Sequence, residues 1–400
     1  MNTTRQLFYK HLAQTSVAPS ALEITSAEGI YLNDSNGKRY IDLISGIAVS
    51  ATGHRHPRVM EAIHKQLERY LHVMVYGEFV QEPQVLLAAR LAQLLPEVLN
   101  TSFFVNSGSE AVEGALKLAK RHTGRNEIIA FKNAYHGSTH GALSVTGSQE
   151  LKMRYRPLLP SVKHLEFNNL TQLDQITQRT ACVIVEPVQG EAGVIPAKKE
   201  FLQTLRNRCN ETGSLLIFDE IQCGMGRTGS LFAFEGYGVV PDVLLLAKAF
   251  GGGLPLGAFI SSSEIMNCLN HKPALGHITT FGGHPLSCAA ALANLDVIIN
   301  EKFVEQVIVK SETIENRLKN LPEVREIRKA GLMMAIQFEN EKINFSVIEN
   351  CLKNGLITDW FLFCTDALRV APPLNINYNQ IENAARIISQ AITEASSNVK

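Results

Sequence analysis

The chain has 400 residues, of which 45% are hydrophobic and 19% are charged, so it can bury a large core in more than one structural lobe. Its 38 basic and 38 acidic side chains cancel, which gives a formal net charge of zero. This balance excludes the electrostatic signature of a protein that binds nucleic acid or an acidic membrane surface. We expect small molecules and other subunits as partners.

The seven cysteines are scattered along the chain and never spaced as C-x-x-C. We therefore predict neither a disulfide framework nor a structural metal site, and we expect a reducing compartment, the cytoplasm. Residues 1–20 contain no sustained apolar stretch, so we expect neither a signal peptide nor a membrane span there.

Short apolar runs alternate with helical patterns from about residue 101 to residue 263, which predicts a mostly parallel sheet with helices on both faces. The predicted strands are Ser102–Val105, Glu127–Phe131, Ala181–Val185, Leu215–Phe218, Val243–Leu246 and Leu256–Ile260. The predicted helices between them include Ser109–His122 and Glu200–Glu211, each followed by a glycine that is typical of a helix C-terminus.

After about residue 300 the pattern changes to helices such as Phe303–Leu318, with strands near Met333–Phe338 and Leu368–Val370. We therefore predict an α/β chain of three parts. Residues 1–53 form an N-terminal arm that contributes to the small domain, residues 54–299 form a large cofactor-binding domain, and residues 300–400 form a small C-terminal domain.

Lys248 is the first candidate for chemistry, because it follows an apolar run and precedes three glycines. Burial of that run would desolvate the lysine, lower its pKa and release the free amine that attacks an aldehyde. Most lysines are solvated surface charges, however, and a glycine-rich turn can be a plain flexible loop. The residue alone leaves both interpretations open.

Asp219 ends a second apolar run, 29 residues before Lys248. Open α/β sheets bind ligands at the carboxyl ends of their strands, and a carboxylate there can keep a ring nitrogen protonated. An acidic helix start is an equally good explanation of Asp219 by itself. Together, the two residues indicate a pyridoxal phosphate (PLP) site.

The segment Ser107-Gly108-Ser109 joins a predicted strand to a predicted helix. Such a junction offers hydroxyls, unpaired backbone N–H groups and a positive helix end, so a phosphate is a natural ligand. Ser109 as an ordinary helix cap without a ligand explains the segment equally well.

The joint order of these and other motifs resembles the class III (ω-amino acid) aminotransferases of PLP fold type I, in particular their acetylornithine/ornithine branch. The matching segments are Gly53–Pro57, Asn106–Ala111, Tyr135–Gly137, Val185–Glu191, Asp219–Gln222, Lys248, Thr279–Pro285 and Leu368–Pro373. The resemblance implies a large domain with a mostly parallel seven-stranded sheet flanked by helices, and a smaller α+β domain.

The resemblance also implies roles for individual residues. Lys248 would be the Schiff-base lysine that later moves a proton, and Asp219 would pair with the pyridine nitrogen. The other implied cofactor-binding residues are Ser107, Gly108 and Ser109 at the phosphate, Tyr135, His136, Glu186, Ile221 and Gln222 around the ring, and Thr279 and Thr280 from the neighbouring subunit of a homodimer with shared active sites.

Glu191 and Arg369 resemble the substrate switch of this family. The arginine would bind the α-carboxylate of glutamate or 2-oxoglutarate, and the glutamate would neutralise it when the substrate has no carboxylate there. A movable partner avoids the cost of an unpaired buried guanidinium, about 3–5 kcal/mol. The alternative is a static ion pair between two lobes.

One position departs from the family pattern. In related enzymes, an arginine shortly after the aromatic-X-Gly segment binds the distal carboxylate of the substrate. This chain has Ser138 at that place. Serine cannot make a charge-assisted bidentate pair, and Arg154 and Arg156 are the nearest basic replacements in sequence. The segment 46–49 still resembles the acetylornithine branch, so the two signals conflict on the substrate.

The predicted function is PLP-dependent transfer of an amino group from an ω-amine or amino acid to a keto acid, 2-oxoglutarate, by a ping-pong mechanism. Alternatives within the fold are a specific N-acetylornithine/ornithine aminotransferase, an aminomutase, an epimerase or a decarboxylase. A metal-dependent hydrolase built on His54 and His56 is the alternative from another class, but these histidines fit a structural turn better and we predict no metal. A non-catalytic scaffold would not need Lys248 and Asp219 together.

Overall fold

The computed structural model describes the backbone of residues 3–399 and the side chains of residues 3–395. The helices are α1 Thr4–His11, α2 Ser45–Ala48, α3 Pro57–Leu67, α4 Glu82–Leu94, α5 Gly108–Thr123, α6 His140–Val145, α7 Gln149–Lys152, α8 Lys199–Thr212, α9 Ser263–Met266, α10 Pro285–Asn300, α11 Phe303–Leu318, α12 Glu341–Lys353 and α13 Tyr378–Val399. The strands are β1 Ile24–Glu28, β2 Tyr31–Asp34, β3 Arg39–Asp42, β4 Thr101–Val105, β5 Glu127–Phe131, β6 Val162–Leu165, β7 Thr180–Val185, β8 Val188–Gln189, β9 Ile195–Pro196, β10 Leu215–Asp219, β11 Val243–Leu246, β12 Gly257–Ser261, β13 Glu326–Lys329, β14 Met334–Gln337, β15 Leu356–Ile357, β16 Asp359–Phe361 and β17 Cys364–Val370.

The central sheet has seven strands in the order β4-β12-β11-β10-β7-β5-β6. Strand β12 runs opposite to the other six strands, so the predicted mostly parallel seven-stranded sheet is confirmed. The six predicted strands agree with the structure to within one residue at each end. Strand β6 was not predicted, because its sequence Val-Lys-His-Leu carries two polar residues and lacks an apolar run.

The sequence of the middle strands explains their place in the sheet. Every residue of β7, β10 and β11 is buried, as continuous apolar runs require when helices cover both faces. Helix α5 buries Val112, Ala115, Leu116 and Ala119 on one face, and it ends at Gly124, whose φ of +69° is the left-handed conformation of a glycine cap.

Two smaller sheets bring the ends of the chain together. Strands β1, β2 and β3 pair with β15, and Ile41 of β3 lies opposite Leu356. The other sheet has the order β13-β14-β17-β16, with α12 packed against β17 and α13. The pairing joins the predicted N-terminal arm to the predicted small domain, and the three domain boundaries stay a prediction.

Within residues 3–399, no helix combines the length and the apolar character needed to span a membrane. All seven cysteines are free thiols.

Candidate active site

The carboxyl ends of the parallel strands meet at one edge of the central sheet. Ser107 follows β4, Glu186 follows β7, Asp219 ends β10 and Lys248 lies just after β11. Together they line a cavity of about 400 Å³. The predicted site residues that line it are Ser107, Gly108, Ser109, Tyr135, His136, Glu186, Glu191, Asp219, Ile221, Gln222 and Lys248.

Lys248 enters the cavity from a short turn after β11, with a φ of +48°. Burial lowers the pKa of its amine, although Glu191 opposes this shift and Arg369 adds to it. Among the described residues, no hydrogen bond or ion pair joins Lys248 Nζ to another group. The amine is therefore available to a ligand.

Asp219 is only 3% exposed, and both of its oxygens have protein partners. Oδ1 accepts a hydrogen bond from the N–H of Ile221 at 3.0 Å, and Oδ2 lies 2.7 Å from Nδ1 of His136. A carboxylate has about four acceptor sites, so Asp219 can still bind a protonated ring nitrogen. The sequence did not predict the contact with His136, because the two residues are 83 positions apart.

The phosphate candidates lie at the start of α5. The hydroxyl of Ser107 caps the helix by accepting the N–H of Glu110 at 3.2 Å. The next N–H groups, of Gly108 and Ser109, belong to a first helical turn and have no acceptor within the helix. A Cβ on Gly108 would lie 2.9 Å from Ile221 Cδ1, so a larger residue there would have to displace the Ile221 side chain.

Thr279 and Thr280 do not line the cavity of their own chain. The hydroxyl of Thr279 instead accepts a hydrogen bond from Asn106 Nδ2 at 2.9 Å, and Thr280 is exposed. Their predicted role toward the partner's cofactor requires a second subunit and stays a prediction.

Glu186 holds the backbone beside the cavity. It accepts N–H groups from Tyr135 at 3.2 Å and Gly190 at 3.4 Å. Burial and the charge of Asp219 raise its pKa well above the ordinary value for glutamate. A neutral Glu186 avoids a second buried negative charge close to Asp219.

Glu191 and Arg369 form a bidentate pair beside the cavity. NH1 and NH2 of the arginine lie 3.0 and 2.9 Å from the two carboxylate oxygens. The N–H of Leu362 and the side-chain amide of Gln222 also donate to Glu191, each at 3.1 Å. Burial raises the pKa of Glu191, but Arg369 outweighs burial and lowers the pKa to about 2.

A second carboxylate on Arg369 was not predicted from the sequence. Asp359 Oδ1 accepts the Nε hydrogen of Arg369 at 2.8 Å. Burial raises the pKa of Asp359 to about 6 despite the neighbouring guanidinium. The pairing of β16 with β17 places Asp359 opposite Arg369, and no local pattern in the sequence predicts that register.

The position that departs from the family pattern lies next to the tyrosine of the site. Ser138 is exposed, and its hydroxyl lies 3.2 Å from that of Tyr135. The described residues that line the cavity include no arginine. Arg156 bonds to Gln149 and lines a separate cavity, while Arg154 is exposed, so neither predicted replacement reaches the site.

His54 and His56 pair with different carboxylates, His54 with Asp42 at 2.8 Å and His56 with Glu301 at 3.2 Å. Within the described part of the chain, no three histidine, cysteine or acidic side chains are grouped to hold a metal ion.

Comparison with known proteins identifies the family. The model of the family "Aminotransferase class-III" matches residues 12–392. An acetylornithine aminotransferase of Methanocaldococcus jannaschii is 39% identical over 384 residues, covering 93% of each chain. A putrescine aminotransferase of Pectobacterium atrosepticum is 38% identical over 402 residues, covering 96% of this chain and 84% of that protein. An ornithine aminotransferase of Toxoplasma gondii that holds PLP at partial occupancy superposes with a TM-score of 0.91 at 28% identity, covering 99% and 95% of the two chains.

The chain belongs to the class-III aminotransferase family. It is a PLP-dependent aminotransferase of fold type I, and the site fits that cofactor. The amine of Lys248 has no partner among the described residues, and Gln222 Oε1 and His136 Nε2 are buried without one. These three residues line one cavity, so a ligand bound there would supply the missing partners.

Proposed function

We propose that the protein transfers an amino group from an ω-amine or amino acid donor to 2-oxoglutarate in two half-reactions. The observation that carries this proposal is the bidentate Glu191–Arg369 pair at the cavity that also contains Lys248. Arginine is suited to bind a carboxylate through two parallel hydrogen bonds. An α-carboxylate is the group that glutamate and 2-oxoglutarate share.

Four parts of the chain would hold the cofactor. Ser107, Gly108 and Ser109 would bind the phosphate through hydroxyl and backbone N–H groups, and Asp219 would hold a proton on the ring nitrogen. Ile221 and Tyr135 would cover the two ring faces, and Gln222 would lie at the ring oxygen. His136 holds Asp219 in place, and Glu186 holds the backbone of Tyr135.

When bound, PLP supplies an electron sink that stabilises negative charge on the substrate carbon next to the amino nitrogen. Lys248 contributes the base. Because burial lowers its pKa, a larger share of the amine is unprotonated and can take a proton from that carbon. Asp219 would face the ring nitrogen, and His136 Nδ1 orients its carboxylate at 2.7 Å.

Glu191 and Arg369 would distinguish the two half-reactions. With a donor that lacks a carboxylate, the pair stays closed as in this structure, and Arg369 keeps a partner. With glutamate or 2-oxoglutarate, Glu191 would move aside and the substrate carboxylate would take its place. Either arrangement avoids a buried unpaired guanidinium.

The donor is proposed to lack a strictly required distal carboxylate, because Ser138 lies beside Tyr135 and neither Arg154 nor Arg156 reaches the cavity. The similarity to a putrescine aminotransferase supports a diamine as the first candidate donor. The similarity to an acetylornithine aminotransferase supports N-acetylornithine as the second candidate. Steady-state kinetics with diamines, N-acetylornithine, ornithine and 4-aminobutyrate against 2-oxoglutarate and pyruvate test the proposal. Turnover without any keto acid would instead indicate an aminomutase, an epimerase or a decarboxylase.

The active site is proposed to be shared between two subunits, with Thr280 and Thr279 reaching the cofactor phosphate of the partner. The exposure of Thr280 and its absence from the cavity of its own chain support this arrangement. Thr280→Asp would place a negative charge against that phosphate and strongly reduce activity.

Hybrid dimers test the shared site. Lys248→Ala and Thr280→Asp proteins, each with little or no activity alone, are mixed, unfolded and refolded together. Random pairing restores one of two sites in half of the dimers, so about a quarter of the wild-type activity should return. A fully active monomer in sedimentation, or no recovery in refolded mixtures whose wild-type control regains activity, would contradict the proposal.

A cytoplasmic location is also proposed. It is supported by the seven free cysteines, since oxidising compartments favour disulfides.

A further inference from the structure

The guanidinium of Arg369 is bonded on two sides by different parts of the chain. On one side NH1 and NH2 meet Glu191, which lines the cavity. On the other side Nε donates to Asp359 Oδ1 at 2.8 Å, and NH2 donates to the carbonyl oxygen of Trp360 at 2.9 Å. Asp359 and Trp360 belong to β16 and do not line the cavity.

These two sets of bonds use different hydrogens of the guanidinium. Arginine has five N–H groups, and the contacts with Asp359 and Trp360 occupy the Nε hydrogen and one hydrogen of NH2. The pair with Glu191 uses one hydrogen each of NH1 and NH2. A substrate carboxylate can therefore replace Glu191 while both contacts with β16 remain.

The two contacts with β16 also fix the plane of the guanidinium. The ring of Phe361 lies against it, with 4.3 Å between the guanidinium carbon and the ring centroid. Without Asp359, a guanidinium that Glu191 has left would keep one hydrogen bond and one ring contact, and it could rotate. A bidentate pair needs both terminal nitrogens to face the ligand, so rotation weakens binding.

We propose that Asp359 is a positioning residue that keeps NH1 and NH2 of Arg369 facing the cavity while Glu191 moves aside. The switch between substrates with and without this carboxylate is then made by Glu191 alone, and Arg369 stays in place. This inference rests on the proposed function, because it takes Arg369 as the group that binds the substrate carboxylate.

The test uses the PLP-loaded protein and glutarate, a dicarboxylate of the same length as 2-oxoglutarate that has no carbonyl to react. Calorimetric titration gives the Kd of glutarate for the wild type, Asp359→Ala, Asp359→Ser and Asp359→Asn. Asp366→Ala is the matched control, because Asp366 lies in the same pair of strands but bonds to Gln337.

Asp359→Ala and Asp359→Ser should weaken glutarate binding about tenfold or more, because neither side chain reaches Nε. Both should raise KM for 2-oxoglutarate while kcat changes less than about threefold. Asp359→Asn should bind glutarate within about threefold of the wild type, since its amide oxygen can accept the Nε hydrogen. Asp366→Ala should bind like the wild type.

Two results would overturn the inference: wild-type affinity in Asp359→Ala or Asp359→Ser, or a tenfold loss in Asp359→Asn. The second result would show that the charge of Asp359 matters and not its hydrogen bond. Asp359→Asn keeps the shape of the side chain, so a tenfold loss in this variant would overturn the inference even if the smaller variants do not fold. Failure of the proposed function has a different signature: Arg369→Ala would then bind glutarate as well as the wild type.

Discussion

The two ends of the active-site cavity differ in how their polar groups are satisfied. At the cofactor end, the amine of Lys248 has no partner among the described residues, and Gln222 Oε1 and His136 Nε2 are buried without one. At the other end, Arg369 is bonded to Glu191, Asp359 and the Trp360 carbonyl. The cofactor end therefore has unpaired hydrogen-bonding groups that a ligand can satisfy. At the other end, Glu191 takes the place that a substrate carboxylate would occupy on Arg369.

The difference explains how one site can keep its cofactor and exchange its substrates. Binding at the cofactor end needs no protein bond to break, so the unpaired groups favour a permanent ligand. A substrate carboxylate at Arg369 must displace Glu191. Its affinity therefore reflects only the difference in free energy between two similar ion pairs. A substrate held in this way is released readily, as each half-reaction requires.

The largest expected effect comes from removing the amine at the cofactor end. Lys248→Ala should abolish transamination, a loss of at least about 10³-fold, because no other lysine lines the cavity among the described residues. The protein should still fold and bind PLP non-covalently, since the α5 N-terminus and Asp219 remain. Activity assays and the absorbance of the dialysed protein measure both outcomes.

Borohydride reduction supplies the control for this prediction. In the wild type it should attach the cofactor to Lys248, and peptide mapping identifies the site. Lys310→Met is the matched variant. Lys310 is also a buried lysine, and burial lowers its pKa to about 8. It differs from Lys248 because it donates to the Leu374 carbonyl, away from the cavity. Attachment to any lysine other than Lys248 would show that the cofactor end has been assigned wrongly.

The fold and the cofactor end could be predicted from the sequence because their signals are local. Continuous apolar runs mark buried strands, and Lys248 and Asp219 each follow such a run directly. The Arg369 end could be predicted only in part. Asp359 is ten residues from Arg369 and reaches it through the register of β16 and β17, which sequence periodicity does not fix.

The next effect concerns the carboxylate end alone. Arg369→Ala should raise KM for 2-oxoglutarate about 30-fold or more, because the substrate carboxylate loses its bidentate partner. This rise corresponds to a loss of ~2–5 kcal/mol in binding free energy. KM for an amine without a carboxylate, such as butylamine, should change little. Steady-state kinetics of both half-reactions measure the two values.

The substitution also leaves Glu191 facing the cavity without its cation. The double variant Arg369→Ala/Glu191→Gln removes that charge and serves as the control. A similar rise of KM in the single and the double variant would show that the lost guanidinium is the cause. Equal losses for 2-oxoglutarate and butylamine would mean that the pair is a static tie between two parts of the fold.

The pH dependence of stability separates the two carboxylates on Arg369. The pKa of Asp359 is raised from 3.8 to about 6, so its contribution to stability is full below about pH 3.8 and is lost as the pH rises through 6. The pKa of Glu191 is lowered from 4.5 to about 2, so its contribution is present above about pH 4.5 and is lost as the pH falls toward 2. The two groups therefore act in opposite directions.

Asp359→Asn removes one of these titrations and keeps the other. Between pH 4 and pH 7, the free energy of unfolding of the variant should rise relative to the wild type, on the order of 2 kcal/mol. Urea unfolding at several pH values between these limits measures the difference. Parallel curves for the two proteins would show that Asp359 titrates normally and that burial does not disfavour its charge.

The smallest expected effect is a gain at the cofactor end. Ser138 is exposed beside the Tyr135 hydroxyl, so Ser138→Arg would place a guanidinium at the mouth of the cavity. An exposed ion pair contributes little, and kcat/KM for N-acetylornithine and 4-aminobutyrate should rise only about three- to fivefold. Ser138→Gln, long but uncharged, should give no such gain, and neither variant should change kcat/KM for butylamine. If the wild type already prefers N-acetylornithine strongly over N-acetylputrescine, which lacks the carboxylate, then a second carboxylate-binding group exists and Ser138→Arg should add nothing.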